Sequence, residues 1–81
     1  MNRFEDAIAR ELSTRVNART RSVRALARWA AAVLPPGALV ADGVALVTER
    51  LGDGDPDALA AEVMAEAPHR FGRNWESGPA H

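Results

Sequence analysis

Eighty-one residues with no cysteine describe one small domain that holds its fold without disulfides or thiolate metal sites. A chain this short buries only about 60–65% of the surface its unfolded form exposes, so stability has to come from well-packed helices or from self-association. The net charge of −1 points to no partner class, but it is unevenly spread, with residues 1–34 carrying +4 and residues 35–81 carrying −5, opposite signs that can attract within a chain or between copies.

The opening, MNRFEDAIAR, has acids at Glu5 and Asp6 and no apolar run of signal-peptide length. The most apolar region, Ala25 to Val47, is cut by Arg28, by Asp42 and by the Pro35–Gly37 turn. It falls short of the roughly 20 apolar residues a membrane span needs. The expectation is a cytoplasmic protein without a transmembrane segment.

Asn2 followed by Glu5 has the spacing of a helix N-cap and its reciprocal partner, so the first helix is predicted to start near Arg3. No glycine or proline interrupts it before Pro35, and the first plausible stop is Leu34. In helical projection Phe4, Ile8, Leu12, Val16, Val23, Leu26, Ala30 and Val33 share one broad face, with Trp29 at its edge. That phase holds on both sides of the polar stretch NARTRS, which favours one continuous helix of about thirty residues, about 45 Å long. The series Leu12, Val16, Arg19, Val23, Leu26, Ala30, Val33 also has the four-three spacing of a coiled-coil seam, with an arginine at one place.

The Pro35–Gly37 turn breaks the chain, and a second helix is predicted from about Ala38 to Leu51, stopping at Gly52. Val40, Val44, Val47 and Leu51 form its stripe, and Gly43 permits a close crossing. A strand reading draws on the valines, but the period fits 3.6 better than 2. Asp55 and Pro56 read as N-cap and N1 of a third helix that runs to about Ala67, where Pro68 ends it. Residues 1–70 thus form one helical domain, and residues 71–81, with Phe71 and Trp75, an aperiodic, partly disordered tail.

The second and third helices, at about 20 Å each, are too short to cover a 45 Å rod. Following the tight turn, they cover its C-terminal half. Phe4, Ile8, Leu12 and Val16 are then left bare unless the first helix bends near Arg19 into a four-helix bundle or a second chain covers them. Arg15 and Arg19 fall on the apolar side, where an arginine must reach water, pair with an acid such as Glu11, Glu49, Glu62 or Glu66, or mark a lapse in packing.

On the opposite face stand Arg3, Arg10, Arg21, Arg24 and Arg28, whose plainest reading is a solvated helix back. Used as phosphate contacts, Arg10, Arg21, Arg24 and Arg28 would make the protein nucleic-acid-associated; as the basic side of an amphipathic helix, they would favour a membrane surface less strongly, since large aromatics are few. The acids Asp53, Asp55 and Asp57 alternate as in a calcium loop, but Ala58 stands where its glycine belongs and Met64 where its last glutamate belongs. Glu66 and His69 have the Glu-x-x-His spacing of carboxylate metal bundles, with Pro68 between them and no second pair. Neither supports a metal site. Ser13, Ser22 and Ser77 lack a histidine placed by a catalytic motif, and no glycine-rich phosphate loop is present, so no cofactor and no enzymatic activity are expected.

The sequence therefore predicts an all-α protein, a long N-terminal amphipathic helix with a short helical hairpin, forming a small three- to four-helix bundle that dimerises. Its expected role is a protein-protein interaction module, an accessory, adaptor or regulatory subunit. The expected interface is Phe4, Ile8, Leu12, Arg15, Val16 and Arg19, facing a second copy or a heterologous partner.

Overall fold

The computed structural model describes residues 3–67, which fold into four helices with no strand among them: α1 (Arg3–Arg15), α2 (Thr20–Val33), α3 (Val40–Leu51) and α4 (Pro56–Ala67). The predicted tail, with Phe71 and Trp75, lies outside the described residues, as does His69. The single long helix is corrected to two: the chain leaves the helix after Arg15 and re-enters it at Thr20. The reason is packing. Folding α1 back against α2 and α3 hides the stripe that a straight rod would leave in water.

The other boundaries follow local chemistry. Helix α2 ends at the last residue before Leu34, whose N–H closes onto Ala30 O at 3.0 Å before the two prolines. Gly37 turns the chain at φ +88°, and Gly52 ends α3 at φ +54°, both in the half of backbone space that glycine enters without strain. Helix α3 starts two residues later than predicted, because Ala38 is held in the turn by a bond from its N–H to Pro35 O (3.2 Å). Leu39 is then left as N-cap, and its N–H is satisfied by the Asp42 carboxylate at 2.8 Å. Helix α4 begins as the sequence indicates, with the Asp55 carboxylate accepting the Ala58 N–H at 3.2 Å and Pro56 in the first helical position.

Helix α2 is the central element and packs on α1, α3 and α4; α1 also packs on α3. The core is contributed by all four: Ile8 and Leu12 from α1, Val23, Leu26, Ala27, Trp29 and Ala30 from α2, Val44 and Val47 from α3, Leu59, Ala60 and Val63 from α4. Gly43 sets how closely α1 crosses α3, since a Cβ at this position would lie 2.9 Å from Ile8 Cγ1.

Two polar links tie α4 to this frame. The Asp57 carboxylate accepts hydrogen bonds from the Ser22 hydroxyl and from the Arg19 N–H (3.3 Å), so the first turn of α4 caps the N-terminus of α2, which has no side-chain cap of its own. At the other end, the Arg50 guanidinium lies 5.0 Å from the Trp29 ring centroid and 2.6 Å from the Glu66 carboxylate, with Glu62 at 4.0 Å. Helix α4 therefore runs alongside α2 in the same direction, with its start at Ser22 and its end near Trp29.

Candidate functional site

The six residues expected to form an interface are divided by the fold. Ile8 and Leu12 have no exposed surface, and Phe4 and Val16 are half-buried against the same core. Their apolar face meets α2 and α3 within one chain, so it is not a free surface of the folded monomer. Arg15 and Arg19 sit in the exposed corner between α1 and α2. Neither pairs with Glu11, Glu49, Glu62 or Glu66: Arg15 Nη1 donates to the Thr14 hydroxyl at 3.4 Å, and Arg19 uses its backbone N–H on Asp57. The acids Glu62 and Glu66 go to Arg50 instead.

Of the arginines on the opposite face, Arg10 and Arg24 are brought to one groove. Arg10, Arg21 and Arg24 are exposed, while Arg28 is half-buried and departs from the solvated position the projection gives it. Arg10 and Arg24 line a shallow groove of about 350 Å³ between α1 and α2, with Asp6, Ser13 and Thr20. The groove is open to solvent, and Asp6 places a carboxylate among its cations. The Ser13 hydroxyl is turned onto its own helix, donating to Ala9 O at 2.9 Å.

Charge is segregated along the chain. Helices α1 and α2 with their linker carry seven arginines against Glu5, Asp6 and Glu11, whereas α3, α4 and their connection carry seven acids against Arg50 alone. Arg50 is held charged above its ordinary range, first by the hydrogen bond to Glu66. Asp57 is shifted the other way: hydrogen bonds from the Ser22 hydroxyl and then the Arg19 N–H favour its carboxylate and lower its pKa.

A third surface was not singled out in the sequence. Residues 32–41, AVLPPGALVA, are ten consecutive positions without a polar side chain, and they run from the end of α2 through the turn to the start of α3. Leu39 is 67% exposed and Val33 40%, and Pro35 and Pro36 are exposed between them. The run is visible in the sequence, but the helical pattern assigns Val33 to the core face and gives no reason to expect Leu39 in water.

Among the described residues no group of three or more histidine, aspartate or glutamate side chains is arranged to hold a metal ion, and no helix is long and apolar enough to cross a membrane. The geometry defines a small all-α bundle with a basic first half, an acidic second half and an apolar knuckle between them. No protein-family model, curated protein or solved structure matches the chain.

Proposed function

We propose that this chain is a small non-catalytic protein-protein interaction module, an accessory or regulatory subunit of the cytoplasm, and that it engages its partner through the knuckle of residues 32–41. The observation that carries this reading is Leu39, a large apolar side chain 67% exposed at a helix N-cap. That position favours serine, threonine, aspartate or asparagine, whose side chains satisfy the helix's free N–H groups. A leucine there gives up stability and offers grease to water. Such breaches of local rules concentrate where a residue serves something other than the fold. Two prolines and a turn glycine hold the knuckle in shape, so docking it into an uncharged apolar cleft would order few free dihedrals.

The test exploits the N-cap. Leu39→Ser is expected to leave the protein as stable as the wild type or more so, since serine caps α3 and pairs with Asp42 at N3. The same substitution should abolish capture of the partner that the tagged wild-type chain retains from its own cells, whereas Arg21→Ala with Arg24→Ala should not. Capture undiminished by Leu39→Ser would remove the knuckle from the proposal.

A second reading has its own observation, the exposed Arg10, Arg21 and Arg24 on helices α1 and α2, two of which, Arg10 and Arg24, share a groove. It makes the chain a nucleic-acid-associated regulator that contacts phosphates without reading bases. Duplex DNA affinity should then fall steeply with salt, and each of the three changed to alanine should reduce the slope by about one phosphate. Absence of binding at low salt would exclude it.

A further inference from the structure

The first thirty-odd residues keep one apolar phase across a break that the chain nevertheless makes. The linker, residues 16–19, is Val-Asn-Ala-Arg, with no glycine or proline, and Ala18 and Arg19 are strong helix formers. Helical bonding is intact up to both edges: the Val16 N–H donates to Leu12 O at 2.9 Å and the Val23 N–H to Arg19 O at 3.0 Å. Only the N–H groups of residues 17–22 lack the acceptors an unbroken helix would give them, and those acceptors are the carbonyls of residues 13–18. Helix α2 has no cap of its own and borrows Asp57 from α4. Helix α1, finally, packs on α2 and α3, through Ile8 against Gly43 and through Leu12.

We infer that this chain exchanges α1 with a second copy of itself. In the exchanged form the linker becomes helical, α1 and α2 join into one rod from Arg3 to Val33, and each α1 packs on the α2 and α3 of the other chain. The surfaces that receive it are identical to those it left, so Ile8 still meets a Gly43 and Leu12 still enters a core. The backbone groups of residues 17–22 gain helical partners that the closed monomer denies them. What opposes exchange is the entropy of bringing two chains together and the loss of the Arg19 bond to Asp57, so concentration sets the balance. The knuckle takes no part in this exchange, which stands or falls separately from the proposed function.

One substitution separates the two forms. Thr20 is the first residue of α2, the helical position that accepts proline most readily. Arg19 before it has φ −64° and ψ 148°, the extended geometry required of a residue preceding proline. Thr20→Pro therefore fits the closed monomer, but in the middle of a continuous helix it would displace the Val16 carbonyl and bar Arg19 from helical geometry.

The full chain should be refolded from denaturant at high and at low concentration and followed by light scattering and circular dichroism. The wild type is expected to give a dimer that grows with refolding concentration and is more helical per residue than the monomer. Thr20→Pro should remain a folded monomer, with dimer formation weakened by about a hundredfold or more. Asn17→Ala, which removes a poor helix former from the linker, should shift the balance toward dimer by a few-fold. A wild-type chain that stays monomeric after concentrated refolding would overturn the inference. So would a dimer that Thr20→Pro leaves intact, or one that Leu39→Ser alone dissolves, since that dimer would be held by the knuckle.

Discussion

Replacing Gly43 with alanine probes the close approach of α1 to α3. The new Cβ would lie 2.9 Å from Ile8 Cγ1, nearer still to Ile8 Cδ1, and 3.5 Å from Leu34 Cδ1. Two effects of opposite sign compete. In a helix interior alanine is favoured over glycine by about 0.8–1.0 kcal/mol. Forcing an extra methyl into a filled core costs about 1–3 kcal/mol. Ile8 has no exposed surface, and its β-branch leaves essentially one χ1 rotamer in a helix, so Cγ1 cannot swing clear and α1 itself has to shift. Overpacking therefore outweighs propensity, and Gly43→Ala is expected to destabilise by about 1 kcal/mol, lowering Tm by about 4–8 °C for a domain of this size. Urea unfolding measures it as a lower midpoint at constant slope. Ile8→Val removes Cδ1 and by itself costs about 0.5–1.5 kcal/mol. The double variant should lie closer to wild type than the sum of the single changes by part of the overpacking cost, because Ile8→Val removes Cδ1, the nearer of the two clashing atoms, while Cγ1 stays. A raised midpoint for Gly43→Ala, or strict additivity of the pair, would refute the close crossing of α1 on α3.

Three further outcomes follow from the same contacts. Leu12→Ala and Leu59→Ala are both expected to destabilise the monomer by about 2–5 kcal/mol in urea unfolding, since both side chains enter one core; a loss below about 1 kcal/mol at Leu12 alone would detach α1 from it. Arg50→Ala should cost about 1 kcal/mol, from an ion pair to Glu66 that is partly screened by solvent and from the contact over Trp29, and the wild type should lose part of that difference in concentrated salt. Acid titration of unfolding should show a contribution from Asp57: with its pKa lowered in the folded protein, the stabilisation is complete above the ordinary aspartate value and is lost as pH falls through the lower folded value. Ser22→Ala removes the larger of the two hydrogen bonds behind that shift and should flatten this part of the acid profile.

What the sequence discloses well is where local chemistry decides. Asp55 and Pro56 open α4, Gly52 closes α3, and Pro35 follows the end of α2; each is a residue whose own backbone or side chain enforces the boundary. The break at residues 16–19 carries no such mark. Nothing in Val-Asn-Ala-Arg forbids a helix, and the apolar phase runs through it, so the decision is made by residues far away in the chain: Gly43, which lets Ile8 in, and Asp57, which caps the end that the break creates. The candidate surfaces divide along the same line. Exposed Arg10, Arg21 and Arg24 were legible from periodicity because each lies off the apolar stripe and stays in water in the fold. The stripe of Phe4, Ile8, Leu12 and Val16 was legible as apolar, but its covering was not, because a pattern identifies what needs burial without naming what buries it. Arg50 could have been found: it is the lone arginine among seven acids in residues 35–67, and two of those acids lie on α4 at positions one helical turn apart.

Magnitudes explain why the chain breaks and why the break is poised. Leaving the helix forfeits the i to i−4 bonds of the N–H groups from Asn17 to Ser22, each worth about 0.5–1.5 kcal/mol net and less where water replaces the partner. Burying Ile8 and Leu12 fully returns about 1.5–3 kcal/mol each, Phe4 and Val16 return roughly half as much, and the apolar surface they cover on α2 and α3 contributes again. Burial wins within a single chain, so α1 folds back. The forfeited bonds nevertheless remain available, because no side chain in the linker obstructs them and the apolar phase already suits a straight rod. Any arrangement that keeps α1 covered and lets residues 16–19 become helical satisfies both demands at once. A second copy supplies the cover without any new surface having to be designed, which is why the residues that defeat a one-helix reading of the monomer are the ones that favour exchange between two.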